Sequence, residues 1–154
     1  RLKLTYHWGP RPLLAQVMAR ADLWGSVYAC IIRVATKGQA HEVAEFFREA
    51  WDMCVYNGHL RHLVRGEYWH RLLRDVEGNT YQNGGYWAVP VGWLAQTMHL
   101  IDPELARGLI AATVEEFLQN GVHEWIGSEG GQVPGYVAGV ANVLGAVQSS
   151  RKLA

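Results

Sequence analysis

Apolar residues recur at helical spacing in several stretches, and the segments between them lose periodicity altogether. Leu23, Val27, Cys30 or Ile31, and Val34 lie on one face, with Asp22 at the N-cap position and Lys37-Gly38 as a stop signal. They predict a first helix over about 23–36, and Gly25, Ser26 and Ala29 give it a small face suited to close packing. A second helix is predicted from about Ala40 to Met53, with Val43, Phe46, Phe47, Ala50 and Trp51 inward and Glu42, Glu45, Arg48 and Glu49 outward. The short connection between the two implies an antiparallel pair. A third is expected from about Pro90 to Leu100, carrying Val91, Leu94, Ala95 and Met98. Asp102-Pro103-Glu104 reads as cap and first turn of a fourth, which ends at Asn120-Gly121. The last, Tyr136 to about Val147, is almost wholly apolar or small and is expected to be buried all round. A short apolar run, Leu13 to Ala19, precedes them all.

Between these helices stand two long excursions, 54–89 and 121–135, rich in Gly, Trp and Tyr. Neither shows the strand-like alternation that would predict a sheet, so the expected fold class is all-α. Antiparallel helices with short turns at one end gather the long excursions at the other. That places Tyr81–Trp87, Glu67 and Glu124 on one rim. Within the first excursion, residues 81–93 hold two Trp and two Tyr beside Asn83-Gly84-Gly85 and Pro90. Flat side chains beside a glycine-rich backbone suit a loop that comes close to a ligand, and they suit the ring faces of a sugar.

Composition narrows the alternatives. With 154 residues the chain is long enough for one domain with a real core. Its 14 basic and 14 acidic residues cancel, so no basic field points to nucleic acid or an anionic membrane surface. No apolar run reaches the length of a membrane span. Cys30 and Cys54 lack metal-ligand spacing and sit in apolar runs, which predicts buried, inert thiols. The seven His show no metal pattern either, and neither a metal nor another cofactor is expected. The chain opens at Arg1 without an initiator Met or a signal-peptide pattern, the expectation for an excised piece.

Four segments occur in a telling order: Asp22-Leu23-Trp24-Gly25-Ser26, Gly58-His59-Leu60-Arg61-His62, Tyr81-Gln82-Asn83-Gly84-Gly85-Tyr86-Trp87, and His123-Glu124-Trp125 before an apolar last helix. In that order, over residues 21–148, they resemble the C-terminal part of six-hairpin glycosidases, the (α/α)6-barrel glycoside hydrolases. The Asn-Gly-Gly-aromatic element is the most specific part of the likeness. The resemblance implies antiparallel helical hairpins forming part of an (α/α)6 toroid. A full toroid of twelve helices needs on the order of 250–400 residues, so residues 1–154 would form a single partial domain, its C-terminal half. The implied function is that of a carbohydrate-active fragment of an inverting hydrolase. Its partners would be an oligosaccharide or glycoside substrate and the missing N-terminal half of the same domain. The alternative is a non-catalytic helical module that binds carbohydrate or a protein partner.

Inverting hydrolysis uses two carboxyl groups roughly 6.5–9.5 Å apart, one of them activating a water. The resemblance assigns the base to Glu124, with Trp125 beside it, and leaves the acid outside the chain. Tyr81, Tyr86, Trp87 and Trp69 are candidates for stacking on sugar rings, with about half of them expected in the core. Gln82 and Asn83 offer the amide donors and acceptors that hydroxyls favour, although Asn83 before Gly-Gly equally suits a turn. Glu67, Arg61 and His62 complete the candidate binding set, against the plainer reading of a solvated loop acid and a surface ion pair.

Overall fold

The computed structural model describes residues 22–69 and 76–151; the run at 13–19 lies outside the described residues. Side-chain caps fix three of its helix starts. Helix α1 (Leu23–Ile31) begins at Asp22, whose carboxylate accepts from Gly25 N–H, and α2 (Lys37–Glu49) begins at Thr36 in a reciprocal capping box with Gln39. A single turn, α3 (Trp51–Cys54), and α4 (Val91–Met98) precede α5 (Pro103–Asn120), which Asp102 caps through Leu105 N–H. The last helix is α6 (Val137–Arg151).

The first helix is shorter than its periodicity predicts. Arg33 adopts φ 60° just past its end, and Lys37-Gly38, expected as a stop, instead opens α2 because Thr36 captures Gln39. The last helix also departs from expectation: Val137 is 73% and Leu144 54% exposed, so α6 buries one face only. Its buried face meets α4, where a Cβ added at Gly92 would lie 2.2 Å from the Asn142 carbonyl oxygen. α4 is the hub of the core. Val91, Leu94 and Met98 pack with Leu23 and Val27 of α1, Val43 and Phe47 of α2, Leu109 of α5 and Val143 of α6. Each such fully buried side chain contributes about 1.5–3 kcal/mol.

The expected all-α class and its toroid of helical hairpins are overturned by a five-stranded antiparallel sheet, which makes the fold mixed α/β. Strands β1 (Val55–Tyr56), β2 (His59–Arg61), β3 (Tyr86–Trp87), β4 (His123–Gly127) and β5 (Gly130–Pro134) follow one another in sequence order across it. Both excursions read as loops therefore supply strands. The register pairs Val55 with Leu60, Leu60 with Trp87, Trp87 with Trp125 and Trp125 with Gln132. The strands are two to five residues long, too short for alternation to be visible. The β1–β2 turn is Asn57-Gly58, both at positive φ (45° and 72°), the conformation that the twist of a two-residue hairpin requires.

Candidate functional site

Where β2 ends, the chain meets the start of α1. The His62 carbonyl accepts from Leu23 N–H at 3.0 Å, and His62 Nε2 lies 3.3 Å from Asp22 Oδ1. Asp22 thus caps its own helix and binds an imidazole at once. One residue into α1, Trp24 stacks on His62 with centroids 4.5 Å apart and planes 21° off parallel. Trp87 meets Trp24 edge-on at 5.3 Å, and Tyr81 and Tyr136 in turn meet Trp87 at 5.1 and 6.4 Å. On the far side Trp69 meets His62 edge-on at 5.2 Å. Rings from five places in the sequence thereby form one continuous run, Trp69–His62–Trp24–Trp87, closed by the two tyrosines.

The Asn83-Gly84-Gly85 element is explained by what surrounds it. Asn83 is buried and spends its amide internally: Oδ1 accepts from Trp69 N–H at 2.7 Å and Nδ2 donates to the Val76 carbonyl at 3.0 Å. Gly84 has φ 131°, and a Cβ there would lie 2.7 Å from an Arg61 guanidinium nitrogen. A Cβ at Gly85 would lie 2.6 Å from the Trp125 ring. The glycines make room for an arginine on one side and an indole on the other. Sequence alone suggests instead that the space is for a ligand.

The candidate residues divide accordingly. Trp87, 3% exposed, is a core residue whose Nε1 donates to the Tyr81 carbonyl at 3.1 Å. Arg61 is 2% exposed rather than a surface partner; its Nε donates to the Leu63 carbonyl, and its guanidinium lies over Tyr68 and Tyr86. Cation–π contacts of this kind stabilise a buried guanidinium. Tyr81, Gln82, Tyr86, Trp69, Trp125 and His62 are half-buried, and Glu67 is exposed. Glu124 is half-buried in β4 beside Trp125. β4 pairs directly with β3, so the two segments expected on one rim are joined by backbone hydrogen bonds.

Electrostatics single out Asp22. Burial alone would raise its carboxyl pKa. Hydrogen bonds from the His62 side chain and the Gly25 and Trp24 backbone outweigh that and hold it below the usual range. The free cysteines offer no nucleophile: burial raises the Cys30 thiol and pushes Cys54 up to about 12. Among the described residues, no group of three or more His, Cys, Asp or Glu is placed to hold a metal ion. Among them, too, no helix is long and apolar enough to cross a membrane.

Sequence reasoning missed Trp24 and Tyr136 as members of the run and the pairing of Asp22 with His62. The available signal was slight: a Trp directly after a cap residue, and a Tyr directly before the last helix. Fold and site together define a mixed α/β domain in which a polar-edged aromatic run links the first helix, the end of β2 and β3. No family model, curated protein or solved structure matches the chain.

Proposed function

We propose that this chain is a carbohydrate-active domain and that its half-buried aromatic run is a sugar-binding surface. The carrying observation is the convergence of Trp69, His62 and Trp24 with the Asp22 carboxylate at a partly exposed edge; the His62 and Asp22 side chains are 20% and 21% exposed. A sugar ring presents C–H bonds on its faces and hydroxyls on its rim. Flat rings bordered by hydrogen-bonding groups complement both parts. The chain's neutral charge balance agrees with an uncharged ligand. In the hydrolytic form of this reading, Glu124 is the base that activates water.

Titration calorimetry with a panel of neutral di- and trisaccharides of glucose, mannose and fructose tests the proposal. At least one should bind, and Trp69→Ala should weaken it by about two- to ten-fold, the worth of one aromatic contact. Failure of every panel member to bind, or unchanged affinity in a folded Trp69→Ala protein, overturns the reading. Where the bound sugar is also cleaved, Glu124→Gln should keep affinity and abolish turnover. Cleavage that survives the change removes Glu124 from the role.

A further inference from the structure

Among the described residues, two polar atoms in the aromatic run lack a hydrogen-bond partner. Trp24 Nε1 and His62 Nδ1 are both buried, and they belong to the two stacked rings. Leaving such an atom unpaired is unfavourable, and a native fold that keeps two of them on one stacked ring pair calls for a reason. Packing does not supply one. The contact with Asp22 accounts for His62 Nε2 and leaves Nδ1 unexplained.

The chemistry of the two atoms is fixed by their neighbours. An ionised carboxylate only accepts hydrogen bonds, so Asp22 Oδ1, 3.3 Å from His62 Nε2, places the proton of the neutral imidazole on that nitrogen. His62 Nδ1 is then an acceptor. Trp24 Nε1 carries a hydrogen and can only donate. An acceptor and a donor on adjoining rings complement a hydroxyl group, which donates and accepts together. A phosphate or carboxylate would leave Nδ1 without a donor and would face the charge on Asp22.

We propose that Asp22, His62 and Trp24 form a hydroxyl-recognition subsite for a neutral sugar: His62 Nδ1 accepts from a hydroxyl, Trp24 Nε1–H donates to a sugar oxygen, and Asp22 is the positioning residue that holds the imidazole tautomer. The inference rests on the sugar-binding reading above and adds to it the atoms that select the ligand. Here Asp22 and the Trp24 Nε1–H act through hydrogen bonds rather than through a ring face. Their role is to discriminate a sugar from an apolar ring of the same size.

The test compares the best-binding saccharide of the panel with its set of monodeoxy analogues, on the full chain. On the wild type, one analogue should bind about ten-fold more weakly than the parent sugar, the worth of one hydrogen bond. His62→Phe should bind the parent sugar about ten-fold more weakly and no longer distinguish it from that analogue. Equal binding of the parent sugar by wild type and folded His62→Phe, with Trp69→Ala still weakened, overturns the subsite and leaves the binding surface standing. Absence of binding to the wild type overturns both. Nitrogen-15 shifts of the His62 imidazole decide the matter if His62→Phe does not fold. At pH 8 Nε2 should be protonated and Nδ1 bare, and saturating sugar should move the Nδ1 resonance. A protonated Nδ1, or one that sugar leaves unmoved, also overturns the proposal.

Discussion

Trp87 and Asn83 illustrate how a residue that looks made for a ligand is held by the protein itself. The Trp87 ring is enclosed by Trp24, Tyr81 and Tyr136, and its one polar hydrogen is satisfied by the Tyr81 carbonyl. Truncation to alanine should therefore act on stability, by about 3–5 kcal/mol as for other buried aromatics. Urea denaturation measures it; a Trp87→Ala protein as stable as the wild type would return Trp87 to the surface. Asn83 works at one remove from any ligand: by binding Trp69 N–H and the Val76 carbonyl together, it fixes where Trp69 stands. The aromatic richness of residues 81–87 was legible in the sequence. Which rings are covered was not, because the covering groups, Trp24 and Tyr136, come from distant parts of the chain.

Among the elements, those announced by local chemistry were readable, whereas those that exist only through pairing were not. Asp22 and Asp102-Pro103 mark the starts of α1 and α5 because a cap is a contact within one turn. The sheet has no such local mark over most of its length: β3 is Tyr86-Trp87 alone, and it is a strand only because Leu60 and Trp125 flank it. The Asn57-Gly58 turn does carry a local mark, the two-residue hairpin signal. It went unread because its flanks, Val55-Tyr56 and His59-Leu60-Arg61, are too short and mixed to show alternation. That turn joins the sheet to the helices. The Thr113 hydroxyl donates to the Gly58 carbonyl at 2.7 Å, and a Cβ at Gly58 would lie 2.3 Å from Thr113 N in α5. Gly58→Ala meets both the clash and a left-handed φ that alone costs an L-residue roughly 1–2 kcal/mol. The substitution should destabilise the protein by at least about 2 kcal/mol in chemical denaturation. A loss below about 0.5 kcal/mol would show that the hairpin does not anchor on α5.

For the molecule as a whole, acid stability should fall in two steps, one traceable to buried His59 and one to half-buried Asp22. His59 lies between the hairpin and Phe117 of α5, and burial lowers its pKa from the ordinary 6.5, a shift only partly offset by the Asn57 carbonyl and Glu116. In the unfolded chain His59 titrates near its ordinary value. As pH drops below it, the unfolded state takes up a proton that the native state refuses, and stability falls with pH. The slope is at most about 1.4 kcal/mol per pH unit and ends at the lower native pKa. Asp22 has the same sign for a different reason: its native carboxylate is favoured over the unfolded one, whose pKa is about 3.8. Its contribution is complete above that value and is lost as pH falls through the lower native one. Urea midpoints measured from pH 8 to pH 2 should therefore drop first below about pH 6.5 and again below about pH 4. His59→Gln should flatten the first drop and spare the second, and Asp22→Asn, which keeps a capping oxygen, should do the reverse. A His59→Gln profile parallel to wild type between pH 7 and 5 would mean that another group governs the first step.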